Sequence, residues 1–381
     1  MTKNNIATRI ISFLKSSELF CFAVLWLIVL VFIGTLAQRD LGLFRAQQIF
    51  FSSFVWWWGF IPLPGAYPTM GVVFIGLTLK LVLDSTWKNG KLGVWITHFG
   101  GLLLLLGGFL TAAFSTEGSV MIGPGQTANT FTQEHRLELA VTEQTGKEND
   151  QVVSFGPVWL TPKSILKTPN LPFEIQVDRF FSNSEPVKKA PGTPAGDSKG
   201  FAAIFDLRPA AEPKGEEPSV AGIIFKVNAT NPADASINGT YALFEDMPIT
   251  QTLTTQNRHF TLEIRKARTP FPFSLELVKF EKSFHPGTGM ARAYKSTVIL
   301  KDGNLSQKVI IQMNEPLRYK GYTFFQSSFI ERPEGDITVL SAVKNVGWTF
   351  PYISSIVMCI GLLIHLLIQT PKLIRKVEPK Q

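Results

Sequence analysis

From Leu19 to Ala37 the chain carries no charged side chain, and that run restricts its possible folds more than any other feature. About 20 apolar residues are enough to cross the hydrocarbon core of a bilayer. Three further runs are read the same way: Thr69 to Leu83, Gly93 to Phe114, and Trp348 to Gln369. The first run is too long and too evenly apolar for a cleaved signal peptide, so it reads as an uncleaved anchor. The second is short and holds Lys80 in its last turn, where the long aliphatic stem can snorkel to the interface. Only 17% of the residues are charged, against about a quarter in soluble domains. A mean hydropathy of +0.15 is too apolar for an ordinary cytosolic enzyme and too polar for a protein lying wholly in lipid. The expected fold class is therefore a membrane protein with four transmembrane helices and a large β-rich extracytoplasmic domain between helices 3 and 4.

Lysine and arginine counts in the short flanks set the expected orientation. Lys3, Arg9 and Lys15 precede the first span; Lys80, Lys88 and Lys91 surround the loop after the second; Lys372, Arg375, Lys376 and Lys380 follow the fourth. An even number of spans puts all three groups on one side, the cytoplasm. The expected order is 1–18 cytoplasmic, 19–37 span, 38–68 a tryptophan-rich external loop, 69–84 span, 85–92 cytoplasmic loop, 93–114 span. The domain 115–346 then lies outside, 347–370 returns through the membrane, and 371–381 is a cytoplasmic tail. Those ten basic groups against Glu18, Asp84 and Glu378 leave +7 of the net +8. The basic balance thus reflects topology and attraction to anionic membrane lipid, and no nucleic-acid partner is expected.

In the external loop, Phe54-Val-Trp-Trp-Trp-Gly-Phe60 is followed by Pro62, Pro64 and Pro68. It reads as an interfacial aromatic belt, or as a flat platform for a planar ligand. The domain 115–346 reads as strands. Thr261–Arg265 and Ser274–Leu277 alternate polar and apolar residues, and Asp302-Gly-Asn304 separates Ser296–Lys301 from Gln307–Met313 as a hairpin would. A β-sandwich or a pair of small β-subdomains is expected, with mobile loops at 182–200 and 209–219.

Catalytic motifs are missing: there is no P-loop, G-x-G-x-x-G, G-x-S-x-G or H-E-x-x-H, and no Cys-x-x-Cys. No residue is expected to be catalytic. His135, His259 and His285 read as surface or packing residues. His98 and His365 lie inside apolar spans, where ionisable groups are rare. Each falls about 4 residues, roughly 6 Å, from its expected cytoplasmic end, so the two imidazoles could share a site on antiparallel helices. On a helical wheel His98, Gly101, Leu105, Gly108 and Ala112 share a face whose small residues permit close helix approach. Zinc would want more ligands nearby and a proton relay would want acids in the spans. Haem needs only one or two imidazoles and an apolar pocket; the other reading is a hydrogen-bonded structural histidine.

Several segments, in this order, are similar to those of the ResB (CcsB) proteins of System II cytochrome c biogenesis. They are Ile33-Gly-Thr-Leu-Ala-Gln38, Thr97-His-Phe-Gly-Gly-Leu-Leu-Leu-Leu-Leu-Gly107, Pro286-Gly-Thr-Gly-Met290, Tyr294-Lys-Ser296, and the long Met313-Asn-Glu-Pro-Leu-Arg-Tyr-Lys-Gly-Tyr-Thr-Phe-Phe-Gln-Ser-Ser328. The resemblance implies an inner (cytoplasmic) membrane subunit that works with a CcsA/ResC-type haem-handling protein. Such a pair moves haem b, bound transiently as cargo, to the extracytoplasmic (periplasmic) side and attaches it to Cys-x-x-Cys-His motifs of apocytochrome c. A thioredoxin-like reductant of the apocytochrome is a further implied partner. The chain would be a non-catalytic or co-catalytic subunit of the cytochrome c haem lyase. In the family the span-three histidine is held to ligate haem iron, and His98 occupies that place; His365 is the candidate second ligand. The competing reading is a haem-free, membrane-tethered scaffold of an envelope complex.

Overall fold

The computed structural model describes residues 6–83, 91–146, 150–192, 194–211, 219–256, 258–288 and 291–377. Lys3, Asp84, Lys88, Glu378, Lys380, most of the loop 85–92 and the Gly289–Met290 end of one motif fall outside these residues. The chain forms two compact units, one built from Met1–Thr116 and Lys344–Gln381, the other from Glu117–Pro213 and Glu217–Val343.

The first unit opens with helices α1 (Ile6–Leu14), α2 (Ser17–Leu41) and the single turn α3 (Leu43–Ala46). Ser16 caps α2, its Oγ accepting from the Leu19 N–H at 3.1 Å, which satisfies one of the orphan donors of a helix start. A hairpin follows, β1 (Val55–Trp58) paired with β2 (Ile61–Pro64), turning at Gly59 with φ +63°. Helices α4 (Ala66–Leu83), α5 (Leu92–Phe114) and α6 (Phe350–Val377) complete the unit. Among the described residues, four helices are long and apolar enough to cross a membrane: α2, α4, α5 and the Phe350–Pro371 part of α6. The expected runs therefore lie on helices, except that α6 begins at Phe350, two residues after Trp348.

Helices α5 and α6 pack along a seam of small residues at seven-residue spacing: Gly93, Gly100 and Gly107 on one, Gly347, Ser354 and Gly361 at and along the other. A Cβ on Gly100 would lie 2.5 Å from Met358 Cγ, and one on Gly361 would lie 2.5 Å from the Thr97 backbone nitrogen. Such contacts let two backbones meet, which is how helices associate where water supplies no hydrophobic drive. This corrects the helical-wheel expectation. The close approach runs along Gly93, Gly100 and Gly107, while a Cβ on Gly108 would meet nothing within 4 Å and one on Gly101 would only touch Leu77 at 3.7 Å.

In chain order the second unit lies between α5 and α6. Its strands are β3 (Thr116–Ile122), β4 (Thr127–Glu143), β5 (Gln151–Phe155), β6 (Ile165–Leu166), β7 (Phe173–Phe181), β8 (Ser184–Lys188) and β9 (Phe205–Pro209). They continue with β10 (Gly222–Ala229), β11 (Gly239–Phe244), β12 (Gln251–Thr255), β13 (Arg258–Phe284) and β14 (Ala291–Asp302). The last are β15 (Leu305–Gln312), β16 (Leu317–Tyr319), β17 (Tyr322–Ile330) and β18 (Ile337–Lys344). Two hydrophobic cores result, as the paired-subdomain expectation required. One gathers Leu139, Phe173, Ile175, Phe225, Phe260 and Leu262; the other gathers Phe131, Phe271, Leu275, Val298, Phe324 and Leu340. Strands β4 and β13 run through both, and their register shifts between Lys266 and Arg268 and between Pro270 and Leu275. A bulge at Pro270 and Pro272 fits, since proline cannot donate to a ladder and bulges bend strands.

The Asp302-Gly-Asn304 hairpin forms as expected, with Asp302 opposite Leu305. One loop expectation fails in part: five of the nineteen residues of 182–200 form strand β8, paired with β9 from Ser184↔Pro209 to Lys188↔Phe205. The apolar partner residues Leu207 and Ala202 hold it on a small satellite core. Most of 209–219 lies outside the described residues.

Candidate functional site

His98 sits on α5 about 140° round the helix from Gly93, at 3.6 residues per turn. It therefore points away from the α6 seam. Its Nδ1 lies 2.7 Å from the Val94 carbonyl oxygen, one turn back. A carbonyl can only accept, so Nδ1 carries a proton, and in the neutral ring the lone pair is then on Nε2. The same arrangement orients metal-bound imidazoles, whose second nitrogen donates to a backbone carbonyl or carboxylate.

The half-buried His98 ring lines a cleft of about 260 Å³ between α5, α4 and the α1–α2 junction. Leu19, Phe20, Val73 and Leu77 supply apolar wall, while Lys15, Ser17 and Lys80 bring polar groups to it. The Lys80 ammonium donates to Ser17 Oγ at 2.9 Å, at the start of α2. An imidazole acceptor in an apolar cleft is a donor set that could hold a haem iron.

His365 is placed differently. Its backbone packs against Gly93, five residues and about 7.5 Å along α5 from His98. It is not among the residues lining the His98 cleft. Its Nδ1 is buried with no hydrogen-bond partner among the described residues. An unsatisfied buried nitrogen is costly, so His365 has an acceptor or donor position to spare. No group of three or more metal-ligating side chains occurs among the described residues.

The tryptophan run divides. Trp56 is 7% exposed and packs edge-on to Phe50 at 5.0 Å, whereas Trp57 and Trp58 are more than 60% exposed. Either expectation for this loop, belt or platform, therefore rests on Trp57, Trp58 and Phe60. His259 Nδ1 lies 3.2 Å from Thr254 Oγ1 across β12 and β13.

Residues 235–341 match the model of the ResB-like family. That segment is ResB-like. It runs from before β11 to within β18 and contributes to both β cores. Over 350 residues the chain is 25% identical to Protein NrfI of Wolinella succinogenes, covering 89% of this chain. It spans 33% of that protein's length. Within the ResB-like segment, the long motif ending at Ser328 forms β16 and β17 around a tight turn at Lys320 and Gly321, both with positive φ. Tyr322, Phe324 and Gln326 from it are buried. Gln326 joins Ser296 and Thr338 in a closed hydrogen-bond triad, with Ser296 donating to Gln326 Oε1 at 2.6 Å. The motif is thus a turn followed by a core strand, and its buried amide explains why glutamine stands among aromatics there.

What the sequence did not expose is the grouping of Lys15 and Lys80 with His98. Both lysines could be counted as topological charges; nothing in their spacing shows that α1 and α4 bring them to one cleft.

Proposed function

We propose that the chain is a membrane subunit of a System II apparatus that matures c-type cytochromes, and that it holds haem in passage at His98. The single observation that carries the haem reading is the His98 ring itself: Nδ1 is tied to Val94, and Nε2 is left as a lone-pair donor in an apolar cleft. The ResB-like segment and the similarity to NrfI support the cytochrome c maturation role. Four apolar helices and the lysines near their ends support insertion in the inner membrane with the β unit on the periplasmic side.

In this reading haem enters from the cytoplasmic leaflet and is cargo. His98 supplies one axial nitrogen, and the second comes from the CcsA/ResC-type partner or from His365. The β unit holds apocytochrome c near the partner's haem, with the Cys-x-x-Cys-His thiols kept reduced by a thioredoxin-like protein. Its contribution to thioether formation is proximity.

The test is cytochrome c maturation in cells whose own copy is replaced by the variant. His98→Ala is expected to abolish haem-stained c-type cytochromes while the protein still reaches the membrane. Normal maturation in that variant would refute the assignment. A scaffold reading is favoured by one observation, that the family match falls wholly on the β unit. It expects maturation to depend on that unit and to survive substitution of both helical histidines.

A further inference from the structure

Helix α1 is two-sided, and its apolar side is bare. At 3.6 residues per turn, Ile6, Ile10, Phe13 and Leu14 fall on one side of it, and Thr8 and Ser12 on the other. Arg9 stands at the edge between them, where its stem can lie along apolar surface while the charge stays in water. Ile6, Ile10 and Phe13 are 76%, 53% and 63% exposed, so the described residues leave uncovered the side that a globular helix buries. The helix has nine residues, and at about 13 Å long it cannot cross a hydrocarbon core of about 30 Å.

The connection decides what covers that side. Only Lys15 and Ser16 separate α1 from α2, the most apolar of the four candidate spans. Ser16 is extended, with φ −69° and ψ 142°, which breaks the helical path, so α1 does not prolong the span. A Cβ on Gly76 would sit 2.6 Å from the Leu14 carbonyl oxygen, so the end of α1 also lies against α4, a second candidate span. Exposed apolar surface resumes on α2 at Phe20 and Phe22. A short amphipathic helix tied to two spans, with an arginine at its apolar edge, has the pattern of one lying in the membrane–water boundary.

We propose that α1 lies flat in the headgroup–acyl boundary of the bilayer, with its Ile6, Ile10 and Phe13 side in lipid, and that it seats the mouth of the His98 cleft there. The occupant of the bare side is lipid. Leu14, Lys15, Ser16 and Ser17 all line the cleft, so the end of the lipid-bound helix and the turn after it are also the rim of the cavity. An amphiphilic cargo dissolved in the leaflet then reaches His98 sideways, without crossing water. This rests on the membrane-insertion reading above, but not on iron ligation by His98.

The experiment is spin labelling of the full chain, on a Cys21→Ser/Cys359→Ser background, in bilayers of phosphatidylcholine and phosphatidylglycerol. Thr8→Cys, Ile10→Cys, Ser12→Cys and Phe13→Cys are labelled one at a time, and collisional access of oxygen and of a water-soluble nickel chelate is read at each. Val31→Cys, at an exposed position midway along α2, is the lipid-facing control. The ratio of oxygen to nickel access is expected to be high at Ile10 and Phe13 and low at Thr8 and Ser12. It is expected to be highest at Val31, because an interfacial helix sinks only about 5–10 Å. Nickel access at all four α1 labels would overturn the proposal by placing the helix in water. Labels at Ile10 and Phe13 closed to both reagents would overturn it as well, assigning that side to a protein contact. Loss of the oxygen preference at Val31 would remove the insertion reading and this proposal with it, whereas a lipid signal at Val31 beside a nickel-accessible Ile10 removes the α1 placement alone.

Discussion

On the face of α5 that carries Gly93, Gly100 and Gly107, helix α6 comes near enough that no Cβ could be added without moving backbone or side chain. Around the same helix, the face carrying His98 stands off from α4 and the α1–α2 junction and leaves a cleft of about 260 Å³. One helix therefore does two jobs with two residue classes. Small residues repeated every seven positions give a tight, ligand-free seam. A single hydrogen-bonded imidazole among bulky apolar neighbours gives a cavity with one oriented lone pair. The difference teaches that the polar residue of a span is informative only once its face is known, because the face decides whether it meets a helix or a space.

The contrast is broken most severely by filling the seam. Gly100→Leu drives a side chain into Met358 and the Ser354 carbonyl, and is expected to destabilise the solubilised protein by about 3 kcal/mol. Gly108→Leu, at the same spacing on the open face, is expected to change it by less than about 0.5 kcal/mol. Thermal unfolding followed by circular dichroism in detergent checks both; equal losses would show that the seam is not special. A middling effect is expected at His365. His365→Leu removes a buried nitrogen that has no hydrogen-bond partner among the described residues, so the haem-free protein is expected to be unchanged or stabilised by up to about 1 kcal/mol. A loss beyond that would mean the ring has a partner that the isolated chain does not reveal.

The smallest effect separates the two units by pH. Arg258 donates to both Glu143 oxygens, at 2.6 and 2.7 Å, and this two-pronged bond, outweighing desolvation, holds the carboxyl below its ordinary 4.5. A depressed carboxylate contributes stability that is fully present above pH 4.5 and is lost as pH falls through the lower folded value. Because the pair is partly exposed, the contribution is expected to stay under about 1 kcal/mol. Acidification below pH 4.5 should therefore loosen the β unit in wild type more than in Glu143→Gln, as read by denaturant midpoints. An identical acid response in both proteins would rule the pair out.

Much of this arrangement is legible in the residues. A long apolar run needs only its own length and composition to become a helix, so the four apolar helices could be placed. The Asp302-Gly-Asn304 turn and the alternating β13 segments likewise carry their own local signal. The glycine seam was misplaced because Gly100–Gly101 and Gly107–Gly108 are adjacent pairs. Both registers repeat every seven residues, and only the facing set Gly347, Ser354 and Gly361 on α6 chooses between them. The β8–β9 pairing was missed because Ser184–Lys188 reads as a polar, proline-bearing loop, and its strand form depends on Leu207 finding a buried site. For the candidate site, His98 was visible as a lone ionisable residue in a span. Its tie to Val94 follows from helix geometry once the rotamer is known. The lysine end of the cleft depends on Gly76 meeting Leu14, a contact between helices far apart in the chain.

The central claim is that Nε2 of His98 takes haem iron, and the most direct measurement is the absorbance spectrum of the protein co-purified with its membrane partner, as wild type and as His98→Gly with and without added imidazole. The expected result is a low-spin haem signal in wild type, its loss in the folded, partner-bound variant, and its return when imidazole fills the vacated space. An undiminished signal in His98→Gly without imidazole would contradict the account.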